Sequence, residues 1–240
     1  MQNVVGRRTK QKIPQFVCLD CRSFFNPSGY KEDPAAHKAD FEYLSANNEH
    51  HSSIQRQLCR ELMERVPGKK TVLEIGHGNG WFLESCRAFG LDVTGFEINP
   101  YCHRFATEKL RLNSILGSFD DSHEQSYDII VSIQVFEHLV QPRDLFKTMI
   151  SKLIPNGAIY LSVPFIHRWQ WQYLWSADSM PAEAPPDIFY DCDVHITHFS
   201  VEGMKQMGIN MGAHSADYFV SRTGDAPSSA GAYDGVLFQF

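Results

Sequence analysis

The sequence has no apolar run approaching the roughly 18 residues that a membrane-spanning helix needs, so no membrane span can be read in it. No apolar stretch follows the basic residues Arg7, Arg8, Lys10 and Lys12 either. That is not a signal-peptide pattern, and a cytoplasmic location is expected. Charge of one sign is not in marked excess: 22 Lys and Arg against 28 Asp and Glu leave a net charge of -6. This excludes the broad basic footprint of a nucleic-acid partner. Cysteine is scarce and scattered. Of Cys18, Cys21, Cys59, Cys86, Cys102 and Cys192, only the first two are close in sequence, so no disulfide framework is readable and reduced thiols are expected. Internal repeats and low-complexity tracts are also missing.

What is present is an ordinary globular composition. The 240 residues, 43% of them hydrophobic, suffice for one domain with a sizeable core. Residues 1–50 read as an irregular segment with Pro14, Pro27 and Pro34. Ser52 and Gln55 have capping-box spacing, and Ile54, Leu58 and Leu62 then recur on a helical face that Pro67-Gly68 stops. From Lys70 the pattern alternates. Strands are expected at Thr71 to Ile75, Asp92 to Glu97, Ser114 to Gly117, Asp128 to Ile133 and Ala158 to Val163. Between them lie helical faces, one carrying Phe82, Cys86 and Phe89, one capped by Asn99 before Pro100, and one opened by Pro142 and closed by Pro155-Asn156-Gly157. Ile129-Ile130-Val131 suits a strand covered on both sides. Strands alternating with helices imply an α/β domain with a parallel sheet. A helix near Ser200 and two strands, Ser215 to Ser221 and Gly235 to Phe240, close the chain.

The central motif is Glu74-Ile75-Gly76-His77-Gly78-Asn79-Gly80-Trp81, directly after the first strand of this series. Glycines there let the backbone turn tightly and approach a ligand, and the next helix points free N–H groups at the same spot. Dinucleotides and S-adenosylmethionine are both bound in this way. The dinucleotide fingerprint needs a small residue where Trp81 stands, so the spacing favours the second ligand. Glu97, about 20 residues on at the end of a strand, can accept from both ribose hydroxyls, with Ile98 beside it. Asp120, in Gly117-Ser118-Phe119-Asp120, can accept from the adenine amino group while Phe119 packs on the ring.

These residues resemble a known family. Val72 to Gly80 is similar to motif I of class I S-adenosylmethionine-dependent methyltransferases. Tyr127 to Leu139, then Pro142, Leu153, Pro155-Asn156-Gly157 and Val163-Pro164, resembles the fourth-to-fifth-strand segment of the ubiquinone-biosynthesis-like branch, as His195-Ile-Thr-His198-Phe199-Ser200 resembles its later segment. The resemblance implies a Rossmann-like, seven-stranded, mostly parallel sheet with a C-terminal antiparallel hairpin and helices on both faces. It implies a methyltransferase domain over 51–240 with S-adenosyl-L-methionine as cofactor. By position, Glu74, Gly76, His77, Gly78, Asn79 and Gly80 line the methionine moiety, Glu97 holds the ribose, Ser118, Phe119 and Asp120 face the adenine, and Ile133 and Gln134 face the sulfonium. Cys18-Leu-Asp-Cys21 looks like one knuckle of a zinc site. A structural zinc needs four ligands, no Cys or His precedes Cys18, and only His37, His50 and His51 follow nearby, so no metal is expected.

Methyl transfer to oxygen also needs a base, and histidine suits that at neutral pH. Among eleven histidines, His138 is best placed, after the fourth strand; it could equally pack the next loop. His195 and His198 could line the acceptor pocket or anchor the insert over 165–198. Phe165, Trp169, Trp171, Tyr173, Trp175, Phe189 and Tyr190 crowd that insert, as a lid over a small or carbohydrate-like acceptor or as the surface of a homodimer. A non-catalytic S-adenosylmethionine-binding module that regulates a partner is the competing reading, and a nicotinamide oxidoreductase is disfavoured by Trp81.

Overall fold

The computed structural model describes residues 2–5, 12–26, 34–166, 194–222 and 232–240. The element order is β1 (Gln2–Val5), β2 (Lys12–Val17), β3 (Phe24–Phe25), α1 (His37–Ala46), α2 (Asn48–Arg65), β4 (Thr71–Ile75), α3 (Trp81–Ala88), β5 (Asp92–Glu97), α4 (Pro100–Glu108), β6 (Ser114–Leu116), β7 (Tyr127–Ile133), α5 (Pro142–Ser151), β8 (Leu153–Ser162), β9 (Thr197–His198), α6 (Val201–Asn210), β10 (Ser215–Arg222) and β11 (Ala232–Gln239). Short 3-10 turns at Pro34–Ala36 and Phe136–His138 complete it.

The main sheet has seven strands in the order β10-β11-β8-β7-β4-β5-β6. The five strands from β6 to β8 run parallel, and β11 and β10 add antiparallel to that edge. Alternation along each strand divides the core in two. Leu73, Ile130, Ile159, Leu161 and Phe238 pack against α5 and α6. Val72, Ile129, Val131, Tyr160 and Leu237 pack against α2 and α3. The apolar run in β7 is therefore buried on both sides, as a strand between two helical layers must be.

The chain leaves β4 for β5 and β6 on one side, then returns to β7 on the other. The carboxyl ends of β4 and β7 thus form a topological switch point, where open α/β sheets bind ligands. Asn99 caps α4 as expected: its side-chain oxygen accepts from the backbone N–H of Tyr101 and Cys102.

Several expectations are corrected. Residues 1–50 are not wholly irregular. They hold the small antiparallel sheet β1-β2-β3-β9, helix α1 and the start of α2, which runs through the expected boundary at 51. Ser52 does not cap that helix; its hydroxyl donates back to the Glu49 carbonyl inside it, a habit of helical serine. Phe89 lies past the end of α3 and is 49% exposed. Helix α5 stops at Ser151, and Pro155-Asn156-Gly157 sits within β8, where Asn156 takes φ 61° and the pairing with β7 shifts register. In the insert, residues 167–193 lie outside the described set, and with them Trp169, Trp171, Tyr173, Trp175, Phe189 and Tyr190. Phe165 is buried in the core, edge-on to Tyr218.

Gly208 marks where α6 meets the sheet most closely. A Cβ there would stand 2.1 Å from the Phe238 ring, which is fully buried and packed on Phe146. Gly208→Ala gains up to about 1 kcal/mol of helix propensity but overpacks the core by about 1 to 3 kcal/mol. The net expected outcome is a lower denaturant midpoint; an unchanged or raised midpoint would contradict this close packing.

Candidate active site

The loop after β4 turns through three left-handed glycines, Gly76 (φ 72°), Gly78 (φ 54°) and Gly80 (φ 82°). At Gly76 any Cβ would come within 2.4 Å of the Val135 side chain, so both conformation and space require glycine. The loop is braced from the next strand. Glu97 is buried, and its two carboxylate oxygens accept from the backbone N–H of Gly78 at 2.7 Å and of Asn99 at 2.8 Å. Burial raises its pKa, while these N–H donors oppose the rise.

His77 braces the loop from beneath. Its Nδ1 pairs with the Gly78 carbonyl at 2.8 Å, so Nδ1 carries the proton and Nε2 accepts from the Ser114 hydroxyl at 2.6 Å. His103 Nδ1 then reaches the same hydroxyl at 2.9 Å. Burial lowers the pKa of His77 to about 4, so the ring is neutral and both its nitrogens are engaged. The ring occupies the space that a side chain on Gly95 would need.

Helices α1 and α2 close over this loop. Asn48 Oδ1 accepts from Trp81 Nε1 at 2.9 Å and from Asn79 Nδ2 at 3.2 Å. Asn99 Nδ2 donates to the His37 carbonyl at 2.8 Å. Trp81, the residue that argues against a dinucleotide, is thus the clasp between loop and helices.

Between these parts lies a cavity of about 800 Å³. Of the residues expected at the site, Glu74, Gly76, His77, Gly78, Asn79, Glu97, Ile98, Ser118, Phe119, Ile133, Gln134 and His138 line it. Gly80 does not; it starts α3 behind the loop. Asp120 does not either. Its Oδ1 accepts from the backbone N–H and the hydroxyl of Ser122, and the carboxylate is exposed. Glu74 is 1% exposed with Oε2 unpartnered, and burial beside Glu97 holds its pKa well above the usual carboxylate range. Gln134 takes φ 58° where β7 ends, a strained conformation of the kind found at functional sites. Phe119 packs edge-on against Phe96 at 5.1 Å.

The sequence reading missed the wall supplied by His37, Asp40, Tyr43 and Leu44 from α1, by His51 and Gln55 from α2, and by Tyr233 from β11. Helix α1 buries none of its residues, so it carries no apolar periodicity to read.

At the β7 end, the 3-10 turn Phe136–His138 presents His138, whose Nδ1 reaches the Val194 carbonyl at 2.9 Å. That contact puts the proton on Nδ1 and makes Nε2 the basic nitrogen, 3.8 Å from Oε1 of the buried Glu137. His195 and His198 are not in the cavity wall. The His195 ring meets the His138 ring edge-on at 4.9 Å, and the ring of His198, in β9, packs in turn on His195 at 5.8 Å. Glu137 is buried, its oxygens have no hydrogen-bond partner, and burial raises its pKa to about 8. One potential ligand atom from each of Glu137, His138 and His195 lies within 4.8 Å of the others. Cys18 and Cys21 are free thiols on a tight turn, where the backbone N–H of Arg22 donates to the Cys18 carbonyl.

A family model described as a methyltransferase domain matches residues 26–212. The mitochondrial ubiquinone biosynthesis O-methyltransferase of Schizosaccharomyces pombe is 33% identical over 104 residues, 40% of this chain and 38% of that protein. The ubiquinone biosynthesis O-methyltransferase of Hydrogenovibrio crunogenus is 29% identical over 102 residues, 39% of this chain and 42% of that protein. These matches thus span about two-fifths of the relatives' length. Among solved structures, a SAM-dependent methyltransferase from Archaeoglobus fulgidus is similar with TM-score 0.60 and 17% identity, over 82% of this chain and 99% of that one. The plantazolicin methyltransferase BpumL, solved with SAH, is similar with TM-score 0.55 and 15% identity, over 85% and 89%. The seven-stranded architecture is that of these methyltransferases.

The raised pKa of Glu137 has a stability consequence. In the folded protein this carboxyl stays neutral up to about pH 8, whereas unfolded it ionises near 4.5. Its contribution is therefore full below pH 4.5 and is lost as pH rises to about 8. Unfolding curves of wild type and Glu137→Gln should diverge over that window, with the wild type losing ground at the alkaline end. Parallel curves would show that Glu137 ionises normally.

Proposed function

The chain belongs to the methyltransferase-domain family, and we propose that it transfers a methyl group from S-adenosyl-L-methionine to an oxygen of a small acceptor. The single observation that carries this reading is the glycine cradle held open against Glu97 at the switch point of the sheet. The residues fit that cofactor. Gly76 and Gly78 bring backbone without side chains to the cavity wall, Glu74 has an orphaned buried oxygen, and Asp40 and Glu97 add carboxylates suited to a cation. A carboxylate offers about four acceptor sites. The Gly78 and Asn99 N–H groups take one site on each oxygen of Glu97, so each oxygen keeps acceptor capacity for a ribose hydroxyl. Gly117, Ser118 and Phe119 would take the adenine by backbone and ring; Asp120 would need to release Ser122 to join them.

The cofactor, when bound, supplies an activated methyl carbon on a cationic sulfur. The chain's own residues orient the acceptor and handle its proton. His138, which lines the cavity, takes the proton from the acceptor hydroxyl, with Nδ1–H anchored on the Val194 carbonyl and Nε2 beside the Glu137 carboxyl at 3.8 Å. His195 and His198 keep the ring in place. A regulatory module that only binds the cofactor would have no use for that base. The named relatives are O-methyltransferases of ubiquinone biosynthesis, which supports an oxygen acceptor of small size; a carbohydrate-like acceptor rests on resemblance alone. The Cys59 and Cys86 thiols, 3.2 Å apart and unbridged in the core, suit a reducing compartment such as the cytoplasm. No described helix is long and apolar enough to cross a membrane.

Calorimetric titration with S-adenosylhomocysteine and, separately, with NAD tests the cofactor: heat with the first and none with the second is expected, and the reverse would overturn the reading. Glu97→Ala removes the ribose acceptor together with the brace on Gly78 and Asn99 and should cost at least about 1 to 3 kcal/mol of S-adenosylhomocysteine affinity. An unchanged affinity would sink the ribose assignment. For the base, a screen of hydroxylated acceptors with radiolabelled cofactor supplies the assay. His138→Ala should then lower turnover by roughly 10² to 10⁴-fold while S-adenosylhomocysteine affinity holds. Near-normal turnover would return His138 to a packing role.

A further inference from the structure

A second polar cluster faces the same cavity from elements remote in sequence from His138. His51 and Gln55 lie one turn apart on α2, and Tyr233 lies on β11. His51 Nδ1 stands 3.3 Å from the Tyr233 hydroxyl. The Gln55 side chain bonds the same hydroxyl. The Tyr43 ring meets His51 edge-on at 6.3 Å, and Leu44 continues the wall.

The polarity of this cluster can be followed atom by atom. Gln55 Oε1 has no partner, so the amide meets the Tyr233 hydroxyl through its Nε2–H, which donates; burial raises the Tyr233 pKa and keeps the hydroxyl protonated. The hydroxyl then donates to His51 Nδ1, which places the remaining imidazole proton on Nε2. Burial and the neighbouring His50 lower the pKa of His51, which keeps the ring neutral. Two atoms are left over at the end of this relay. His51 Nε2, a donor, and Gln55 Oε1, an acceptor, are both buried and have no hydrogen-bond partner. Buried polar atoms in native folds are nearly always matched by a protein group or by water, and these two, unlike the core hydroxyls of Tyr160 and Ser162, belong to residues that line the cavity.

We propose that His51 and Gln55, aligned by Tyr233, form the recognition site for a polar group of the methyl acceptor, a group that both donates and accepts, and therefore an uncharged hydroxyl or carboxamide on an apolar body. The inference rests on the methyl-transfer reading, and it adds an acceptor-specificity site that β7 and its turn do not contain. The free donor and free acceptor match one hydroxyl, which accepts from Nε2–H and donates to Oε1. Asp40 and Glu97 line the cavity as well, so an anionic acceptor would meet carboxylates. Tyr43 and Leu44 offer the flat and aliphatic surface on which a ring would lie. Tyr233 is a positioning residue: it reaches the acceptor only through the two side chains it orients.

The test uses the full chain saturated with S-adenosylhomocysteine, with phenol as probe and anisole and benzoate as controls, read by ligand-observed NMR. Phenol should bind more tightly than either control. His51→Ala and Gln55→Leu should each weaken phenol about tenfold, the worth of one ordinary hydrogen bond, with S-adenosylhomocysteine affinity changed less than about twofold. His51→Gln, which restores a donor, should recover part of the loss, and Tyr233→Phe should weaken phenol without altering anisole. Thermal unfolding checks that each variant folds, and Gln55→Leu and Tyr233→Phe suffice if the His51 variants do not. Failure of S-adenosylhomocysteine to bind overturns the methyl-transfer reading itself. Binding of S-adenosylhomocysteine with no phenol binding, equal binding of phenol and anisole, or variants that bind phenol like the wild type overturns this inference alone.

Discussion

The structure turns on one buried carboxylate. Glu97 holds the backbone N–H of Gly78 with one oxygen and that of Asn99 with the other. The first contact fixes a left-handed glycine loop that would otherwise be free to flex; the second fixes the turn into α4, where Asn99 caps the helix and ties α1 down through the His37 carbonyl. A buried anion is costly unless it is hydrogen-bonded, and here the compensation comes from the backbone itself. The same group thus shapes the loop, the turn and the helical cover. Losing it would disturb the cavity as a whole rather than one contact in it.

The cavity joins two halves of different character. Its floor is the glycine loop and the ends of β4, β5 and β7, rigid because they belong to the sheet. Its cover is α1 and α2, fastened to the floor by a few polar contacts such as Asn48 with Trp81 and Asn79. Helix α1 buries none of its own residues. A helix with so little packing of its own gains most from a ligand beneath it, because folding stability in such helices comes chiefly from tertiary contact.

The floor was legible in the sequence, and the reason is local chemistry. Glu74 to Gly80 follow a strand directly, and Glu97 ends the next one, so a single stretch of chain carries both partners of the brace. The strands from Thr71 onward were legible because burial on both faces leaves continuous apolar runs. The cover was not. Tyr233 and His51 meet across 182 positions, and nothing in either segment signals the other. Ser52 misled because a helical serine can bond within its own helix. Asp120 had the right position for an adenine acceptor, yet its carboxylate turns to the nearer partners on Ser122. His195 and His198 were legible as a pair that could line the cavity or anchor the insert; the fold puts them outside the cavity wall, with the His195 ring against His138.

The central claim is that Glu97 serves the fold and the ligand at once. A crystal structure of the chain with S-adenosylhomocysteine measures this directly. The account predicts both ribose hydroxyls within hydrogen-bond distance of the Glu97 carboxylate, with the Gly78 and Asn99 N–H contacts retained. A ligand bound elsewhere, or a ribose held by other groups while Glu97 keeps only its backbone partners, would contradict it.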